Sequence, residues 1–338
     1  MPSNPLSAAN MAYRIDSVRF SSIDCNDLTY QISTPTPVDR IAQSISRIGL
    51  INPPILSQTK HSGYQIVSGF RRITACQGLG GSGLTARILS PDMAPLHILG
   101  LAIADNAEHR DLNLIEQATA IDKLGRYLND DTDILNYGNS LGMQLNRAFI
   151  GRLRRLNNLS RSIKDAVASN TVPLTIALEL EKLDAASAEE LSFFFEELRP
   201  TLNQQKEMVS LVKEIARLED RLIPELIKAG PVGGIRADTD LDRTQKIKRI
   251  RSSLKKRRYP SIHQFEVFFD RSLKALDLPR DIGFSPPADF EGNRFSVTIS
   301  FHSQAEFKTH IETLFRLAEN PHFIAIVEKQ IDDQEALY

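Results

Sequence analysis

The 338-residue chain has no tryptophan and only two cysteines, Cys25 and Cys76. The two lack metal-ligand spacing and build no disulfide scaffold, which fits reduced thiols in the cytoplasm. No apolar run approaches the roughly 20 residues that a membrane helix needs, so no membrane partner is expected. Residues 1–13 lack the basic and apolar regions of a signal peptide and read as a flexible tail. Net charge is also missing: 41 Lys and Arg stand against 42 Asp and Glu, leaving -1. Locally the balance breaks down, because no acidic residue stands between Ile134 and Lys164 or between Arg243 and Arg258.

What is present falls into three stretches, as the length suggests. Residues 14–112 alternate strand and helix signals, with strands expected at 18–23, 28–32, 50–56, 64–67 and 84–89 and helices at 38–48 and 71–79. The centre of this α+β stretch is Ser68-Gly69-Phe70-Arg71-Arg72, where an apolar run ends in glycine and a helix begins. Glycine permits a tight turn and close approach, and a helix start offers free N–H groups and partial positive charge, which together suit a phosphate. The polar string from Asp105 to Asn113 follows about one helix later. Asp105, Asn106 and Glu108 there could hold a cation, and His109 or Arg110 could meet a phosphate; a charged interhelical corner explains the same string. Asn113 and Glu116 have the spacing of a capping box and predict a helix from residue 114 to about 127.

Residues 113–229 read as all-helical. Between 134 and 156 two short helices flank Leu141-Gly142-Met143, the spacing of a helix-turn-helix. Arg147, Arg152, Arg154, Arg155, Arg161 and Lys164 fill the acid-free span. Such arginines neutralise phosphates, and residues early in the second helix reach base edges. Gly230-Pro231-Val232-Gly233-Gly234 marks a linker over 230–241, and 242–338 forms a small α+β domain. It opens with nine basic residues between Arg243 and Arg258. Ile247, Ile250 and Leu254 give this segment an apolar stripe. Its basic side is either a second DNA surface or docks on an acidic neighbour such as the Asp238 to Asp242 cluster. A strand at 295–301, with Phe295, Val297, Ile299 and Phe301 alternating, needs a pairing partner, and a second subunit is the expected source.

The combination resembles the ParB family of chromosome and plasmid partition proteins over residues 15–170. Gly49-Leu50-Ile51-Asn52-Pro53 is similar to that family's "G-L-I-x-P" strand, Ser68 to Arg72 to its first phosphate motif, and Asp105-Asn106 through Asp111-Leu112-Asn113 to its second. The resemblance implies a ParB-like nucleotide-binding domain, a helix-turn-helix domain and a homodimer that CTP with Mg²⁺ closes into a clamp on double-stranded DNA in the nucleoid. Carried over by position, Ser68, Gly69, Arg71, Arg72, Asn106, His109 and Arg110 contact the nucleotide, and Asp105 and Asn106 the metal. Gln144, Asn146, Arg147, Arg152, Arg154 and Arg155 contact DNA. Asp105 is the one candidate catalytic carboxylate, for a slow CTPase at most. Phe70, Thr74 and His109 depart from the family's usual Glu, Arg and Arg, which sets binding apart from hydrolysis. A ParA-type ATPase is a further partner that the family implies, with Arg14 and Arg19 as candidate contacts. Two alternatives stand beside this reading: a helix-turn-helix transcription regulator with a nucleotide-inactive domain, and a phosphoryl-transfer enzyme on the ParB fold.

Overall fold

The computed structural model describes residues 13–59, 63–287, 290 and 292–329, with the side chain of His109 outside that set. Two compact units divide the chain, residues 1–202 and 203–338.

The first unit begins with a five-stranded mixed sheet in the order β1-β5-β3-β4-β2. Its strands are β1 (Tyr13–Arg19), β2 (Ile23–Asp24), β3 (Ile55–Gln58), β4 (Tyr64–Ser68) and β5 (Gly83–Leu89). β1 runs antiparallel to β5, with Val18 opposite Leu84, and β3 runs antiparallel to β4 and parallel to β5. Val18, Ile23, Leu56, Ile66, Ile73, Leu84, Ala86 and Ile88 form the core, against which Phe70 and Cys76 pack half-buried. Helices α1 (Asp39–Ile48) and α2 (Phe70–Gly78) pack on each other.

Two sequence expectations are corrected here. A short 3₁₀ turn, Phe20–Ser22, separates β1 from β2, so residues 18–23 are not one strand. Residues 28–32 form no strand either. Their carbonyls serve a buried cation instead: Lys123 donates to the carbonyls of Leu28, Thr29 and Gln31, the last two at 2.9 and 2.8 Å. A backbone whose carbonyls converge on one ammonium cannot also form a ladder. Burial pushes Lys123 down to about 8, while three carbonyls match the three donors of its charged form.

Helices α3 (Pro95–His109), α4 (Leu114–Leu124), α5 (Asp131–Ser140), α6 (Arg147–Asn157), α7 (Arg161–Ala168), α8 (Leu174–Leu180) and α9 (Ala185–Leu198) complete the unit. The expected capping box is present: Asn113 accepts from the amides of Ile115 and Glu116, and Glu116 accepts from the amide of Asn113. α6 packs on α4, α5 and α8 through buried Ile150, Leu153 and Leu156.

The second unit contains α10 (Leu202–Glu219), α11 (Ile223–Lys228), α12 (Gly230–Ala237), α13 (Arg243–Arg258), α14 (Pro260–Ala275), α15 (Gln304–Ala318) and α16 (Pro321–Val327). The glycine-rich stretch expected as a linker is therefore a helix over most of its length. Proline is tolerated in a first turn, and a Cβ on Gly233 would stand only 2.1 Å from the Lys228 carbonyl oxygen. That glycine lets the helix fold back closely on α11. Strand β7 (Ser296–Ile299) finds its partner within the chain, pairing antiparallel with β6 (Ile282–Ser285) so that Phe284 faces Val297. The expectation of a strand from a second subunit was wrong because Ile282-Gly283-Phe284-Ser285 is too short, with a glycine in it, to announce a strand. Phe269, Leu276, Phe284, Leu317 and Ile326 form this unit's terminal core, with Phe295 against it. Val297 and Phe301 are not buried as the alternation predicted, being 43% and 51% exposed. No helix among the described residues is long and apolar enough to cross a membrane.

Candidate functional site

β4 delivers Ser68, buried, to the point where α2 begins. Gly69 follows with φ +95°, in the left-handed region, and a Cβ there would come within 2.7 Å of the Pro54 Cβ. Both conditions require glycine at this turn. No side chain caps α2, so its first amides remain available to an anion at the positive end of the helix dipole.

The turn and the polar string are brought together as the sequence predicts. The Ser68 hydroxyl donates to Asp105 on α3, and the Arg72 guanidinium lies 3.6 Å from the same carboxylate. Arg72 also donates to the carbonyl of Asn52 at 2.7 Å. Burial pushes its guanidinium below the ordinary arginine value and Asp105 pushes it back up. Arg71 donates to the Pro37 carbonyl at 3.1 Å, yet its Nε is buried with no partner among the described residues. Phe70 packs half-buried against the sheet core, which accounts for an apolar residue at the start of α2. The Thr74 hydroxyl donates back to the Phe70 carbonyl at 3.0 Å. The Asn106 amide donates to the Ala102 carbonyl at 2.8 Å. His109 ends α3, and its side chain lies outside the described residues.

Arg110 has another task. Its guanidinium makes a two-pronged pair with Glu116, 2.6 Å on each side. Glu116 is only 1% exposed and also accepts from the amides of Thr34 and Asn113 at 2.9 and 3.1 Å. Burial pushes this carboxyl up, but the Arg110 hydrogen bonds, the two amides and the Arg110 charge together hold it below the ordinary value. Sequence reasoning found Glu116 as a cap and missed it as a buried counter-charge. It also missed the loop that Lys123, Glu116 and Arg71 pin at residues 28–31, 34 and 37 beside the phosphate turn. The spacing of basic residues carries no signal for carbonyls far away in the chain.

The helix-turn-helix is formed by α5, a turn and α6. In the turn Leu141, Met143 and Leu145 are buried while Gly142, Gln144 and Asn146 are exposed. Gly142 has φ +87°. The Asn139 side chain brackets Leu145, accepting from its amide at 2.7 Å and donating to its carbonyl at 3.2 Å. Asn146 caps α6 by accepting from the Phe149 amide. Gln144, Asn146, Arg147, Arg152, Arg154 and Arg155 are all exposed, but they are not equally available. Arg154 pairs with Asp131 at 2.5 Å, and Arg155 pairs with Glu181, with its Nε at 2.7 Å. The acid-free span does not make an acid-free surface, because both acids come from outside it. Arg147 donates to the Thr132 hydroxyl at 2.8 Å. Arg152 lies over the Phe149 ring, 5.5 Å from its centre, which keeps its charge outward. Of the six, Gln144, Asn146, Arg147 and Arg152 have no acidic partner within ion-pair distance among the described residues, and Gly151 is open beside them.

Comparison with known proteins finds a match over a range that includes the turn. Residues 8–101 match the family model of the ParB N-terminal domain, and the chain is similar to ParB partition proteins at low identity. Over 176 residues it is 23% identical to the "Probable chromosome-partitioning protein ParB" of Vibrio cholerae, spanning 52% of this chain and 58% of that protein. It is 24% identical over 212 residues to the "Probable plasmid-partitioning protein ParB" of Thermus thermophilus, spanning 54% of this chain and 69% of that protein. The C-terminally truncated ParB from Caulobacter crescentus, complexed to the centromeric parS site, is 18% identical with a TM-score of 0.35, covering 58% of this chain and 98% of that one. The chain spans little more than half the length of the Vibrio relative.

Proposed function

We propose that this chain is a DNA-binding partition protein whose N-terminal domain takes CTP with Mg²⁺ and whose helix-turn-helix holds double-stranded DNA. The observation that carries the reading is the closure of the Ser68-Gly69 turn onto Asp105, which assembles an uncapped helix start, two arginines and one carboxylate at one place. The residues fit a nucleoside triphosphate: the Gly69 cradle has no room for a Cβ, and Arg71 keeps a buried Nε without a partner among the described residues. They fit Mg²⁺ in a limited way, since no group of three or more His, Cys, Asp or Glu gathers among the described residues. Mg²⁺ beside a nucleotide needs only one or two carboxylates because phosphates and water supply the rest, and Asp105 with the Asn106 oxygen would serve. When bound, the ion neutralises phosphate charge.

The chain's own residues then act as follows. Backbone amides of Phe70 and Arg71 receive phosphate oxygens, Arg71 adds charge, and Arg72 is held in place by Asn52 and Asp105. Asp105 is the one candidate catalytic carboxylate at the turn. The chemistry supported is binding and gating rather than fast hydrolysis, since an apolar Phe70, half-buried against the core, stands at the turn and Arg110 is committed to Glu116. The protein acts in the cytoplasm on the nucleoid as a homodimer, and the C-terminal unit leaves Val297, Phe301 and Phe315 exposed. A ParA-type ATPase is the further partner this reading includes.

Isothermal calorimetry with CTP and ATP, with and without duplex DNA, tests the nucleotide half. Heat from CTP with Mg²⁺ that Arg71→Ala abolishes is expected, and no heat from either nucleotide overturns it. That second outcome favours a helix-turn-helix regulator with a silent N-terminal domain, a reading supported by the internal partners that Arg72 and Arg110 already have.

A further inference from the structure

α13 carries nine basic side chains and no acidic one. Its Ile247, Ile250 and Leu254 are buried, so the cations divide to the two sides of that stripe. One side is used within the unit, against acids of α10 and not against the Asp238 to Asp242 cluster. Arg251 and Lys255 meet Glu207 at 2.5 and 3.0 Å, Arg258 meets Glu214 at 2.5 Å, and Arg257 pairs with Glu219. The other side carries Lys248, Arg249 and Lys256, all exposed. None of the three has an acidic partner within ion-pair distance among the described residues.

These three side chains line a cleft of about 920 Å³ whose opposite wall includes Arg221. The one acid in that lining, Glu225, lies 3.6 Å from Arg221. Between the cations the same flank presents Gln245, Ser252 and Ser253, and it carries no apolar side chain. At 1.5 Å of rise per residue, Lys248 and Lys256 stand about 12 Å apart along the axis. The other wall adds only Ala229 and Pro231 as apolar side chains, so a row of cations with hydroxyl donors between them offers little hydrophobic anchor for a protein or a bilayer. It matches a regular row of anions, as a phosphate backbone offers.

We infer that the Lys248, Arg249 and Lys256 flank of α13 is a second, sequence-independent contact for the phosphate backbone of duplex DNA, separate from the helix-turn-helix. The inference rests on reading the chain as a DNA-binding protein, and the experiment separates the two. The full chain is titrated against random-sequence duplex DNA by fluorescence anisotropy between about 50 and 200 mM salt. Three variants are compared: Lys248→Gln with Arg249→Gln and Lys256→Gln; the charge-keeping Lys248→Arg with Arg249→Lys and Lys256→Arg; and Arg147→Gln with Arg152→Gln.

Removing three phosphate contacts should flatten the slope of log affinity against log salt by about 2.7. It should also weaken binding at least tenfold at the low-salt end. The charge-keeping variant should restore both, and circular dichroism should show unchanged helix content. A wild-type slope in the neutralised variant overturns the inference, and if the Arg147 and Arg152 variant still loses affinity, the DNA-binding reading itself stands. Preference for single-stranded RNA over duplex DNA at this flank, seen by competition, also overturns it.

Discussion

Gly69 joins two constraints that usually act separately. Its φ of +95° and the 2.7 Å that a Cβ would keep from Pro54 both exclude a side chain. Gly69→Ala should therefore cost about 1–3 kcal/mol, read as a lower urea midpoint, and should abolish nucleotide heat in calorimetry. An unchanged midpoint would mean that Pro54 yields easily and the turn is not tight. Glu116 makes a second residue-scale prediction. Its pair with Arg110 is buried on one side only, so Glu116→Gln should destabilise the chain by about 3 kcal/mol at neutral pH, the lower end for a broken buried pair. The pH dependence has a definite sign. The folded carboxyl titrates below its ordinary 4.5, so its stabilisation is complete above that value and is lost as pH falls through the lowered folded value. Chemical denaturation across pH 7 to about 3 should show the wild type and the variant converging on the acid side.

At the scale of elements, α6 is legible in sequence as a helix, while the availability of its arginines is not. Arg152→Ala should weaken DNA binding and reduce the salt slope by about 1. Arg154→Ala should change the slope by less than half as much, because its charge is balanced by Asp131 in the free protein. Equal slope changes in a filter-binding series would show that the Arg154 pair opens on DNA. The capping box, the stripe of α13 and the Gly69 turn were likewise legible, since each is fixed by residues within one or two helical turns. The short β6 and the helix through Gly230 to Ala237 were not, because glycine marks a turn in most contexts and a close helix approach in a few.

At the scale of the molecule, the break in the chain's contacts falls at residue 202, inside the helical region and not at the glycine-rich stretch. Residues 1–202 contain the sheet, the phosphate turn, the corner at Glu116 and the helix-turn-helix with their internal partners. A fragment of residues 1–202 should melt as one cooperative transition in calorimetry and retain nucleotide heat. Two transitions would separate the sheet from the helical part and place the cooperative boundary near residue 112. Within this unit Lys123, Glu116 and Arg71 bind the loop at 28–37 to α4 and to the start of α2, so the phosphate turn and the helical part share one support.

The sequence by itself determined the local events: where helices start, which faces are apolar, that a glycine turn precedes a polar corner and that a helix pair with a basic second helix follows. These depend on spacing along the chain, and backbone geometry converts spacing into faces. Only the tertiary structure decided which charges remain available. Arg110, Arg154, Arg155, Arg251 and Arg257 are identical to free cations in the sequence, yet each meets a carboxylate in the fold. The reason is the range of the interaction: a charge in a folded protein is neutralised by what lies within a few ångströms of it, and residues many positions away in the chain are brought that close only by packing.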